Sequence, residues 1–228
     1  MIQGKKILVT AGSTNVPIDR VRCISNIFRG GTGRKIAEYL SEDHYVTLVT
    51  SDTEVREDRK SLSTLRFKTF DDLYNLMRKE ITNAGYHYDA IIHSAAVSDY
   101  KVEEVCIKTE GGKVVPINSS GKVSSEHKDI FLHLVQTEKI IDLIRSPWNF
   151  EGYLVKFKLQ VDISDEELIR IADKSRIASQ ADMIVANCLE WFTERGYIIT
   201  DQNTERTSRR EIPIKIHDEL QRIWRSEK

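Results

Sequence analysis

The chain has 228 residues, and its 40% hydrophobic and 30% charged composition is that of a folded globular domain, not of a disordered chain. With 34 basic against 35 acidic residues the net charge is -1, which argues against wholesale nucleic-acid binding but leaves room for a local basic pocket. No apolar run approaches the roughly 18 residues that span a bilayer, and the three cysteines, Cys23, Cys106 and Cys188, lack CxxC spacing, as expected of free thiols in a reducing cytoplasm.

The start, MIQGKKILVT, has no small-residue cleavage site and reads as a first strand over Lys5 to Thr10, not a signal peptide. A helix follows over 32–41, with Ile36, Ala37 and Leu40 on one face. His44 to Thr50 and Leu65 to Phe70 read as strands, Asp71 to Lys79 as a helix with an acidic start, and Tyr88 to Ser94 as a strand. This alternation predicts an α/β, Rossmann-like, mostly parallel sheet with helices on both faces.

Residues 101–135 break the rhythm. Two β-like runs, Lys113 to Ile117 and Ile130 to Val135, predict a β excursion serving as a flap or dimerisation arm. The pattern then resumes: helix over Thr137 to Arg145, strand over Gly152 to Leu159, helix over Ser164 to Ala178 with Ser164 as its cap, strand over Asp182 to Ala186. A hairpin near Tyr197 to Thr200 and a helix over Lys215 to Arg225 close a single domain spanning 1–228, with ERTSRRE at 205–211 read as a solvated loop.

Chemistry gathers where predicted strands end. The first empties into Ala11-Gly12-Ser13-Thr14, and Gly30-Gly31-Thr32-Gly33 sits directly before a helix, as an anion site would. The same glycines could merely shape loops, and neither a G-x-G-x-x-G fingerprint nor a Walker lysine pattern is present. Asp19, Arg20, Arg22 and Asn26 lie in the long connection between the two glycine clusters. Ala95-Ala96 could let a ligand lie against backbone, with Asp99 offering a carboxylate, or could serve close packing and a cap. Phe157 could stack on a base or fill core, with Lys156 and Lys158 beside it to meet phosphates; Asn187 could bond a base or ribose. Lys122 follows Ser119-Ser120-Gly121 on a polar loop. His87 and His93 read as structural, and no set of residues has metal-ligand spacing.

Taken in order, the strings ILVTAGST (7–14), PIDRVRCISN (17–26), SAAVSDY (94–100), GKVSS (121–125), VKFKL (155–159) and ADMIVAN (181–187) resemble the phosphopantothenate–cysteine ligases, and most of all their stand-alone form. The resemblance implies a ligase that joins 4′-phosphopantothenate to cysteine through an acyl-nucleotidylate in coenzyme A biosynthesis. Its implied co-substrate is CTP, or ATP, with Mg²⁺ on the phosphates. Its implied nucleotide contacts are Gly12, Gly30, Gly33, Phe157 and Asn187. Asn26, Ala95, Ala96 and Asp99 would contact phosphopantothenate, Arg22 would reach a neighbouring subunit's site, and Lys122 and Asn26 would serve the chemistry. The implied assembly is a homodimer, with no nucleic-acid or membrane partner.

Several residues depart from that pattern. Ser13 replaces a glycine, Phe28-Arg29 a small polar pair, Lys156 a glycine and Cys188 an aspartate. They keep open a divergent paralogue that activates another carboxylic acid, or a non-enzymatic nucleotide-binding protein. An NAD-type oxidoreductase is disfavoured, because no Tyr-x-x-x-Lys pair follows SAAVSDY in a helical context.

Overall fold

The computed structural model describes residues 1–55, 59–85 and 87–226. In chain order its strands are β1 (Lys6–Ala11), β2 (Asn15–Pro17), β3 (Cys23–Ser25), β4 (Tyr45–Thr50), β5 (Leu62–Arg66), β6 (Ala90–His93), β7 (Tyr100–Lys108), β8 (Val114–Ile117), β9 (Ile130–Gln136), β10 (Tyr153–Gln160), β11 (Met183–Cys188), β12 (Arg195–Ile199) and β13 (Thr204–Ser208). Its helices are α1 (Gly31–Leu40), α2 (Phe70–Thr82), α3 (Ile140–Arg145), α4 (Asp165–Ala178) and α5 (Ile212–Ser226).

Among the described residues eight strands form the main sheet, in the order β13-β12-β11-β10-β6-β1-β4-β5. β5 through β11 in that order are parallel, and the β12–β13 hairpin adds an antiparallel edge. The central strands are apolar on both faces, as helices on both sides require. Ile7, Val9 and Ala11 pack with Ile36, Ala37 and Leu40 of α1 and with Ile212, Ile216, Leu220 and Trp224 of α5. On the other face Leu8, Ile91 and Leu154 meet Leu73 and Met77 of α2 and Ile140 and Ile144 of α3, while α4 covers Ile184 and Ala186. Each large side chain fully buried here is worth about 1.5–3 kcal/mol relative to exposure. No described helix is long and apolar enough to cross a membrane.

The Rossmann-like alternation is as expected, and the differences have local causes. The third parallel strand runs over Leu62–Arg66, earlier than 65–70, because Thr69 forms a reciprocal capping box with Asp72 and so commits Phe70 to α2. The excursion has three strands, in the order β8-β7-β9, where two were expected. β7 was hidden because Glu103-Glu104 interrupts its alternation at a register shift between Val102 and Glu104. α3 starts at Ile140 and not at Thr137, whose N–H donates to the Asp99 carbonyl at 3.0 Å and whose hydroxyl donates to the Ser98 carbonyl at 2.8 Å. The expected solvated loop at 205–211 is largely strand β13, a short, charged edge strand of the kind that resists edge-to-edge pairing.

Candidate functional site

The chain passes from β1 through α1 to β4 on one side, then returns through α2 to β6 on the other side of β1. The carboxyl ends of β1 and β6 therefore flank the crevice where open α/β sheets bind ligands. Ser13 bridges Ala96 across it, and the Ala96 N–H donates to the Gly12 carbonyl at 2.8 Å. The Asn26 Nδ2 donates to the Ala96 carbonyl at 3.2 Å, and the hydroxyls of Ser13 and Ser25 lie 3.3 Å apart. The small hairpin β2–β3 thus folds the long connection back and delivers Asn26 to the switch point.

The glycines are packed against protein. Gly12 and Gly30 have φ of +90° and +83°, and a Cβ on Gly30 would stand 2.1 Å from the Gly12 nitrogen. A Cβ on Gly33 would stand 2.3 Å from Ser94 Oγ and 2.8 Å from Ala11 Cβ, so this glycine seats α1 directly on the ends of β1 and β6. Gly31 differs, because a Cβ there would meet nothing within 4 Å. α1 has no side-chain cap and no acid in its first turn, whereas α2 and α4 are capped by Thr69 and Ser164 and carry acids there. The partial positive charge of the α1 N-terminus thus has no built-in counter-charge.

Ala95 packs partly into the core beneath α2 and α3, and Asp99 is exposed with β7 starting immediately after it, so it caps no helix. Phe157 packs partly against the core on the α1–α5 face. Alternation along β11 puts half-buried Asn187 on that face too, since Met183 and Val185 belong to it. Lys156 points the other way. Its ammonium donates to Ser175 O and Oγ at 3.0 Å and to Ser179 Oγ at 2.9 Å under α4, so the expected meeting of this lysine with phosphates is corrected. Burial pushes Lys156 down to about 8 and neighbouring His93 down to about 4. His93 is buried against Thr10 Oγ1 at 3.0 Å, as its structural reading anticipated. Lys174 lines a groove with Arg170 and Asp201 beside the end of antiparallel β12, at the opposite edge of the sheet.

Lys122 is exposed on the loop between β8 and β9. Arg22 is engaged within its own chain, its Nη2 donating to Asp19 Oδ2 at 2.6 Å and to the Val123 carbonyl at 2.8 Å. Among the described residues no group of three or more His, Cys, Asp or Glu could hold a metal ion.

The model of the DNA/pantothenate metabolism flavoprotein C-terminal domain matches residues 2–219. The chain belongs to this family. A Coenzyme A biosynthesis bifunctional protein CoaBC from Thermococcus kodakarensis is 29% identical over 97% of this chain and 52% of its own length. The chain thus spans about half the length of the curated relatives it matches. A solved DNA/pantothenate metabolism flavoprotein from Streptococcus pneumoniae is 31% identical, with a TM-score of 0.85 over 96% of this chain and 100% of that one. A structure of a Cab2 mutant in complex with phosphopantothenate-cysteine shares the fold, with a TM-score of 0.68 and 16% identity over 98% of this chain and 89% of that one.

Within this family domain, two further residues that sequence spacing did not single out, Arg209 and Phe192, gather with Phe28 beside the α1 N-terminus. Arg209 Nη2 donates to Thr32 Oγ1 at 3.3 Å, and its guanidinium lies 5.1 Å from the Phe192 ring centroid. Phe28 meets Phe192 edge-on at 5.2 Å. The signal for Arg209 was the basic pair Arg209-Arg210 in a stretch read as loop. The partner of Phe192 was the departure Phe28 itself.

Proposed function

We propose that the chain is the ligase half of this chemistry, joining 4′-phosphopantothenate to cysteine with a nucleoside triphosphate, CTP or ATP, as co-substrate. The family match supports this, and one geometric observation carries it: the Asn26–Ala96 contact stands at the switch point beside a helix N-terminus with no cap and no acid. In this reading the triphosphate meets the α1 N-terminus near Gly12, Gly30 and Gly33, with Arg209 adding positive charge, while Phe157 and Asn187 contact the base and ribose. Attack of the acid's carboxylate on the α-phosphate releases pyrophosphate and concentrates negative charge, which Lys122 would stabilise. Magnesium needs only one or two carboxylates besides phosphate oxygens, so the nucleotide would carry it in.

The amine of cysteine then attacks the acyl carbon and the nucleoside monophosphate leaves. An amide nitrogen has two hydrogens. One from Asn26 is engaged by Ala96, leaving the other for the acyl oxygen, with Ala95 and Asp99 along the acid's path. No enzyme thiol is required. Cys106 and Cys188 are buried and all three thiols are free, in keeping with a cytoplasmic protein.

A two-fold homodimer fits the excursion sheet, which presents Phe131 and Leu134 exposed at 43% and 42%. In this reading residues 101–135 are the dimerisation arm of a single domain and Arg22 lies near the partner's site. The test is omission of substrates. Product of the mass of phosphopantothenoylcysteine should form only when acid, cysteine and nucleotide are all present. Turnover of a different carboxylic acid in preference to phosphopantothenate would favour instead the divergent-paralogue reading, which rests on Phe28 and Arg29 replacing small polar residues at the α1 N-terminus.

A further inference from the structure

Asp19 lies in the connection between β2 and β3. Its side chain is fully buried. Oδ1 accepts from the backbone N–H groups of Val21 and Arg22 at 2.8 and 2.7 Å. Oδ2 accepts from Arg22 Nε at 3.0 Å, Arg22 Nη2 at 2.6 Å and the backbone N–H of Val123 at 3.1 Å. The Arg22 guanidinium beside it holds its carboxyl well below the usual carboxylate range.

The Val123 peptide is gripped on both sides, since its carbonyl accepts from Arg22 Nη2 at 2.8 Å. One residue before Lys122, the Gly121 carbonyl accepts from the Arg20 N–H at 3.1 Å. Residues 118–129 belong to no strand or helix. The other side-chain bonds across this stretch, Ser120 N–H to Asn118 Oδ1 and Glu126 N–H to Ser124 Oγ, are internal to it. Lys122 is therefore an exposed side chain on a loop fastened immediately before and after it. Both fastenings lead to residues 19–22, the segment that continues through β3 to Asn26.

We propose that Asp19 is a positioning residue that clamps the Lys122 loop to the Asn26 loop through Arg22 and Val123. It touches no reacting atom. It sets where Lys122 stands relative to Asn26, and small misplacements of such a group cost rate steeply. The catalytic part of this claim rests on the reading of Lys122 given above; the mechanical part does not.

Asp19→Asn keeps the size and removes the charge and part of the acceptor capacity. Backbone hydrogen exchange in the full chain should rise at least about tenfold across residues 121–124, with β1 and β6 amides unchanged. Pyrophosphate release driven by phosphopantothenate should fall about 10- to 100-fold, with KM for cysteine unchanged and partial recovery in Asp19→Glu. If Asp19→Asn loosens the whole fold, Arg22→Lys, which retains charge but loses the fork, should reproduce the local exchange change. Unchanged exchange at 121–124 in a folded variant would overturn the clamp, as would faster exchange with undiminished pyrophosphate release. If Lys122→Gln itself left pyrophosphate release intact, the ligase reading of Lys122 would fail while exchange still judged the clamp.

Discussion

Two glycines two residues apart in α1 should respond to alanine in opposite ways. At Gly33 a methyl group would stand 2.3 Å from Ser94 Oγ, 2.8 Å from Ala11 Cβ and 2.9 Å from the Thr10 carbonyl. Ser94 cannot simply swing aside, because its hydroxyl donates to that same carbonyl at 2.6 Å. Overpacking of this kind costs about 1–3 kcal/mol, partly offset by roughly 1 kcal/mol of helix propensity. In a domain of this size, 1 kcal/mol moves Tm by about 2–4 °C. Gly33→Ala should therefore lower Tm by a few degrees and raise KM for the nucleotide by lifting α1 off the strand ends. Gly31→Ala meets nothing within 4 Å and should hold or raise Tm, by up to about 1 kcal/mol of stability. Thermal unfolding of both variants with KM measurements is the assay. A Gly33→Ala protein as stable as Gly31→Ala would refute the close seating of α1.

Lys122→Gln should slow acyl-nucleotidylate formation by about 100-fold, near 2.7 kcal/mol, with Tm unchanged; pyrophosphate exchange at the wild-type rate would remove its role. Asn26→Asp should still release pyrophosphate yet accumulate the acyl-nucleotidylate, seen by single-turnover quench and mass spectrometry, and equal slowing of both steps would end the step-specific claim. Lys156 is charged, buried and depressed to about 8. An ammonium with a folded pKa below its unfolded value costs stability while charged, so stability attributable to it should rise between pH 8 and about 10.4, by up to roughly 3 kcal/mol. Lys156→Met should raise Tm at pH 7 and flatten that rise, and a lower Tm with an unchanged slope would contradict the argument. Equilibrium sedimentation should give a dimer, and Phe131→Glu with Leu134→Glu should shift it to monomer; a wild-type monomer with full activity would count against the arm.

The parallel core was legible because β1 and β6 are buried on both faces and so carry the short apolar runs Ile7-Leu8-Val9 and Ala90-Ile91-Ile92 between periodic helices. The crevice was legible because Gly12, Asn26 and Ala96 sit at strand ends, and strand ends converge wherever the order reverses. What pairwise spacing could not supply was side-chain direction across the sheet. Lys156 and Phe157 are neighbours in sequence, yet alternation sends one under α4 and the other toward α1. Nor could it supply contacts from distant segments, as between Arg209 and Thr32, 177 positions apart. β7 and β13 were missed or read as loop because both are partly exposed strands carrying charges, whose pattern is that of solvated chain.

The most direct test of the ligase account is a single turnover without cysteine. With enzyme in excess of CTP or ATP, pyrophosphate should appear only when phosphopantothenate is present, together with one equivalent of an acyl-nucleotidylate, and added cysteine should convert that species to product and nucleoside monophosphate. Pyrophosphate release that ignores phosphopantothenate, or none with either nucleotide, would contradict it.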